Sequence, residues 1–103
     1  MHTTFLRQEI QELQPELFEI YQDLHQHPEP GFEEHRTSAF VAGYLQQLGL
    51  QVQTGLAFTG VVATLDSGRP GRTLMLRADM DCLAISDQSQ LPYASRNEGY
   101  CHA

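Results

Sequence analysis

A chain of 103 residues with 41% hydrophobic side chains has room for one domain and enough apolar material for a core, which argues against wholesale disorder. Its formal charge of −7 argues against nucleic acid or an anionic membrane surface as the partner, because both reward a basic face. No apolar run approaches the roughly 20 residues needed to span a bilayer, and the N-terminus, MHTTFLRQEIQELQPE, carries charge from Arg7 onward without a long apolar core, unlike a signal peptide. The two cysteines, Cys82 and Cys101, read as reduced thiols of a cytoplasmic protein rather than a secreted disulfide framework.

The first third predicts a helix. Ile10 and Leu13 precede Pro15, and Leu17, Ile20, Tyr21 and Leu24 follow it at helical spacing. Pro15 lacks the N–H of a helix interior and predicts either the first residue of a new turn or a kink. His27–His35, HPEPGFEEH, holds two prolines and a glycine and predicts a loop. A second helix follows, with Thr37 or Ser38 as its cap, Glu33 and Glu34 near its positive end, an apolar stripe from Phe40 to Leu48, and Gly49 as its stop. The period then changes to that of strands: Leu50–Thr54 alternates, Gly60–Leu65 is β-branched and apolar, and Thr73–Ala78 is a third run. The short turn Asp66–Arg72 predicts that the second and third runs pair as an antiparallel hairpin. The polar tail from Ser86 has no periodicity. The fold class is α/β, with two helices, then an antiparallel hairpin and a strand ending in an aspartate pair. The core of such an assembly is thin.

That pair lies in RADMDCLAI. Side chains alternate along a strand, so Asp79 and Asp81 face one way if the strand continues through them. Two carboxylates on one face repel unless a metal ion, an imidazolium or an arginine sits with them. Ligands of open α/β sheets bind beyond the carboxyl ends of strands, so the pair marks the rim of a site. Aspartate also ends strands because it starts turns, and that reading stands beside the first.

The remaining polar side chains say less. His25 and His27, at the end of the predicted first helix, point to different sides and suit a structural role near the negative end of the dipole. His2 and His35 carry no signal. Cys101 and His102 are neighbours in sequence and make neither a zinc site nor a nucleophile pair on that ground alone. Cys82 reads as a small buried filler.

The segments HQHPEPGFEEHRTSAFVAGYLQQLG, TGVVATL, LRADMDCLAI and LPYASRNEGYCHA, in this order, resemble the opening of the zinc-type amidohydrolases. That family includes aminoacylases, hippurate hydrolases and auxin-conjugate hydrolases, in the aminoacylase/carboxypeptidase group of metallopeptidases. The resemblance runs from about Leu17 to Ala103. It implies that residues 1–103 are a single partial domain, the N-terminal part of a three-layer αβα catalytic domain. It implies that Asp81 holds the N–H of a metal-binding histidine and so fixes its tautomer. Asp79 falls where related peptidases place a histidine ligand. Cys101 stands where the family carries methionine, and His102 matches a His-Ala pair that precedes the family's cysteine and histidine ligands.

The resemblance therefore implies a divalent metal, zinc or else manganese, cobalt or nickel, in the full-length enzyme, acting on a small N-acyl amino acid. The metal ligands lie beyond Ala103, so this chain alone is expected to bind no catalytic metal and to be inactive. The alternative is a non-catalytic truncated product that self-associates through an exposed sheet edge.

Overall fold

The computed structural model describes residues 2–103, with the side chain of His2 outside the described part. Four elements follow in order: α1 (His2–Gln26), α2 (His35–Gln47), β1 (Gln51–Leu56) and β2 (Gly60–Thr64). Helix α1 runs unbroken through Pro15, so neither a new start nor a separate turn occurs there. Proline leaves the Gln11 carbonyl without its helical donor. The cost is tolerable because this half of the helix is bathed in solvent: Phe5, Leu6, Ile10 and Leu13 are all exposed, and water can reach that carbonyl.

The connection from α1 to α2 is held by bonds from distant parts of the chain. Pro28 is fully buried. The Gln26 carbonyl accepts the Arg96 N–H at 2.8 Å, the Pro28 carbonyl accepts Asn97 Nδ2 at 2.9 Å, and the Glu29 carbonyl accepts the Cys82 N–H at 3.0 Å. Two distant stretches, at Cys82 and at Arg96–Asn97, thus meet on residues 26–29.

Thr37 and Ser38 do not cap α2; both lie inside it, and the residue at the cap position, Glu34, offers its helix no side-chain hydrogen bond. The cap comes instead from across the loop. Glu29 Oε2 accepts the Arg36 N–H at 2.9 Å, and Oε1 accepts both the Thr37 N–H at 2.6 Å and the Thr37 hydroxyl at 2.7 Å. A carboxylate at the positive end of a helix gains from the dipole as well as from the free amides. Glu34 turns the other way, buried, and accepts the hydroxyl of Thr59, which ties the loop to the hairpin. At the far end Gly49 adopts φ +83°, and the N–H groups of Gly49 and Leu50 reach back to the carbonyls of Gln46 and Leu45. That is the glycine-closed helix end the sequence predicts.

Strands β1 and β2 pair antiparallel, Gln51 with Thr64 and Val52 with Ala63, with a bulge between Gln53 and Leu56. The hairpin is therefore closed by the three residues Ala57–Thr59, not by Asp66–Arg72, and the expected pairing of Gly60–Leu65 with Thr73–Ala78 is corrected. Thr73–Ala78 has no ladder partner among the described residues. Leu74, Met75 and Leu76 are 81%, 86% and 86% exposed, so consecutive apolar side chains face water on both sides of the run. A run apolar on both faces belongs in the middle of a covered sheet, which is why it makes a poor outer strand for a half-buried hairpin.

The core is as thin as the sequence predicts. Ala42, Cys82 and Cys101 are its buried apolar residues among those described. The radius of gyration is 16.1 Å, against about 13 Å for a compact domain of this length.

Candidate functional site

The end of the apolar run is pinned where the chain needs it. The Cys82 N–H is held by Glu29, and Leu83 and Cys101 exchange two backbone hydrogen bonds of 3.0 Å in an isolated antiparallel bridge. Asp79 and Asp81 sit just before these anchors. Both line a cleft of about 700 Å³, with Thr37 of α2, Val61 of β2, and His102 on other parts of its wall.

The two carboxylates differ in company. Asp79 Oδ1 is 2.7 Å from the Arg77 guanidinium, and both side chains are largely exposed, so the arginine two residues earlier relieves the repulsion on this side. Asp81 has no basic group within 4 Å among the described residues. Its Oδ2 lies over the HPEPGFEE loop, where a β-carbon built on Gly31 would meet it at 3.8 Å. Asp81 is thus the carboxylate left free to accept a donor at the rim.

His102 is the other polar wall of the cleft. Its Nε2 is buried and has no hydrogen-bond partner. Burial holds its pKa below the usual histidine range, and the neighbouring His25 ring adds to that, while Asp81 and Glu29 oppose it. Desolvation disfavours the imidazolium, so near neutral pH the ring is uncharged and presents a lone pair or a proton to the cleft.

The structure also gathers a set that spacing in the sequence does not show. His25, Asp87 and Cys101 each present one donor atom, and these atoms lie within 4.8 Å of one another. Asp87 is held by the Ser95 N–H at 2.8 Å and the Ser89 N–H at 2.8 Å. The Ser95 amide, then the hydroxyl and amide of Ser89, keep its carboxyl far below the usual range. Tyr21 and Tyr93 close on the His25 ring, at centroid distances of 5.7 and 5.8 Å. Nothing in the sequence pairs residue 25 with residue 87; the signal is tertiary. His27 keeps to the structural role predicted for it, its Nδ1 2.8 Å from the Asp23 carbonyl one turn back. Both cysteines are free and buried.

At the aspartate pair itself the chain offers Asp79, Asp81 and His102, and no three donor atoms there converge to within 4.8 Å among the described residues. These residues line one wall of the cleft.

Two helices, a hairpin, and an apolar run delivering two aspartates to a cleft make an α/β unit with its candidate site at one rim. No family model matches the chain. Individual relatives do. It is 40% identical over 95 residues to the hippurate hydrolase of Campylobacter jejuni, covering 92% of this chain and 25% of that protein. It is 40% identical over 91 residues to the N-acetyl-L-cysteine deacetylase of Bacillus subtilis, covering 88% of this chain and 22% of that one. Among solved structures, it superposes on the YXEP protein of Bacillus subtilis, a dinuclear metal-binding peptidase of the M20 family, with a TM-score of 0.82 and 31% identity. That match covers 89% of this chain and 26% of the other. The chain belongs to this family of amidohydrolases and carboxypeptidases, and spans about a quarter of the length of the relatives it matches.

Proposed function

We propose that this chain supplies one wall of the active-site cleft of a metal-dependent amidohydrolase, and that the whole enzyme cleaves the amide bond between an acyl group and an amino acid. The observation that carries the reading is the delivery of Asp79 and Asp81 to one cleft, in a chain 40% identical to a hippurate hydrolase over 92% of its length. A divalent metal (zinc, manganese, cobalt or nickel) supplies water activation in such enzymes when bound. Asp81, free of any cation of its own, accepts the N–H of an imidazole at the rim and fixes which nitrogen that ring offers inward. Asp79, already paired with Arg77, keeps a carboxylate at the same rim. Thr37, Val61 and Met80 line the same cleft. The two unpaired thiols suit a reducing compartment, the cytoplasm.

Among the described residues no donor set converges at the aspartates, and the reading predicts that the chain by itself is catalytically silent. The purified chain is supplied with zinc, cobalt or manganese and assayed for hydrolysis of N-acetyl amino acids and hippurate. Metal-dependent turnover above the uncatalysed background overturns that part. In the full-length enzyme, Asp81→Asn lowers activity or metal affinity by about 10–100-fold, the range for a residue that orients a ligand. An Asp81→Asn enzyme with unchanged kcat and metal affinity removes the role assigned to Asp81.

The bare Leu74–Leu76 run favours a second reading for the isolated chain. Its unpaired backbone groups and exposed side chains invite pairing with another copy, which makes the chain a self-associating module. A clean, folded monomer in sedimentation at high concentration counts against it.

A further inference from the structure

We infer that His25, Asp87 and Cys101 form a three-donor binding site for a borderline-soft divalent cation of the zinc type. The donors are His25 Nε2, a carboxylate oxygen of Asp87 and Cys101 Sγ, all within 4.8 Å of one another. Tetrahedral zinc, with bonds of roughly 2.0–2.3 Å, holds its donors about 3.3–3.8 Å apart, so small inward shifts complete the set.

A second observation points the same way. His25 is only 8% exposed, and its Nε2 has no hydrogen-bond partner. The nitrogen is 3.3 Å from Asp87 Oδ2, close enough to attract the carboxylate but too poorly aligned for a well-formed hydrogen bond. A buried imidazole nitrogen left unpaired is costly, and a cation between the three groups removes that cost. The environment is also right for a metal rather than for a loose ion pair. The Ser95 and Ser89 amides fix the Asp87 carboxylate and leave lone pairs on its oxygens. Tyr21 and Tyr93 fix the His25 ring. The Leu83–Cys101 bridge fixes the backbone behind the thiol.

One nitrogen, one sulfur and one oxygen favour zinc or cobalt over calcium or magnesium, and three protein donors leave a fourth position open. Because His25 also lines the 700 Å³ cleft, that position is reached from the cleft. Burial and the nearby Asp87 raise the Cys101 pKa, so binding must displace the thiol proton and weakens as pH falls. Asp79 and Asp81 are not among the donors, so the inference stands or falls apart from the amidohydrolase reading.

The test is a titration of the reduced chain with cobalt(II), followed by absorbance. The expected result is a one-to-one complex with an intense sulfur-to-cobalt charge-transfer band, lost in Cys101→Met and His25→Gln with unchanged far-ultraviolet circular dichroism, and kept in Cys82→Ala. Absence of the band in the wild-type chain overturns the site. So does a band that survives Cys101→Met. If Cys101→Met does not fold, X-ray absorption of the cobalt form of Cys82→Ala decides, since its one thiol is Cys101. One sulfur in the metal shell supports the site, and a sulfur-free shell overturns it.

Discussion

The bond network at Glu29 sets the entry of α2, and its removal has a calculable consequence. In Glu29→Gln the amide oxygen keeps the two Thr37 donors, whose residue is 2% exposed, and the amide nitrogen then faces the Arg36 N–H, donor against donor. The Arg36 amide is exposed and turns to water, so the loss is one charge-assisted hydrogen bond, at about 1.5 kcal/mol, plus roughly 0.5 kcal/mol of dipole interaction. About 2 kcal/mol is a loss of roughly 30-fold in the folding constant. Glu29→Ala strands the buried donors of Thr37 as well and costs about 3 kcal/mol or more.

The pH dependence carries a sign that tests the cause. Burial raises the Glu29 pKa, but the Arg36 amide, the Thr37 hydroxyl and amide, and the charge of His35 together bring it below its ordinary 4.5. A carboxylate whose folded pKa is depressed stabilises fully above its unfolded pKa, and that stability is lost as pH falls through the folded value. The gap between wild type and Glu29→Gln is therefore full at pH 7 and shrinks from about pH 4.5 downward. Urea unfolding followed by circular dichroism at both ends of that range measures it, with amide exchange at Thr37 as a local check. A Gln variant within about 0.5 kcal/mol of wild type at pH 7, or a gap that does not move with pH, refutes the capping role.

Four further outcomes follow from the structure. A β-carbon on Gly60 meets the Leu56 carbonyl oxygen at 2.5 Å, so Gly60→Ala forces the hairpin apart and destabilises by about 1–3 kcal/mol in urea unfolding. Gly43→Ala, in α2 with nothing within 4 Å, stabilises by about 0.5–1 kcal/mol; equal effects at the two sites would contradict this geometry. Met75→Lys changes monomer stability by less than about 0.5 kcal/mol, since the side chain is 86% exposed, but lowers self-association in sedimentation; unaltered association shows that this run is not the contact. Tyr44 donates its hydroxyl to Glu16 at 3.0 Å, which raises its pKa above the ordinary 10.0, so a late phase appears in ultraviolet absorbance; Glu16→Gln removes that late phase, and its absence in the wild type counts against the bond.

What could be read from the sequence was what depends on neighbours along the chain. The stop of α2 at Gly49 was legible because a left-handed residue after an apolar stripe has few other uses, and the chain adopts φ +83° there. The loop from His27 was legible from its prolines. The cap was not, because the side chain that supplies it, Glu29, crosses from seven residues before Arg36, outside any capping pattern a local reading tests. The hairpin partner was misjudged for a related reason. Short connections favour pairing, but Ala57–Thr59 is shorter than Asp66–Arg72, and the doubly apolar Leu74–Leu76 run calls for cover on both faces rather than for one partner.

The aspartates sit between these cases. Their spacing and their place at the end of an apolar run were visible locally. What distinguishes them was not: Asp79 has Arg77, and Asp81 has the loop of Gly31 and, among the described residues, no cation within 4 Å. The distinction matters chemically, because an ion-paired carboxylate already holds its donor and an unpaired one must find another. A rim carboxylate without a cation, facing a cleft that also holds an unpartnered histidine nitrogen, is stable at neutral pH only while solvent or a further donor reaches it. An N–H or a cation that reaches the rim therefore meets Asp81 as an acceptor no neighbouring cation occupies among the described residues, whereas at Asp79 it competes with Arg77.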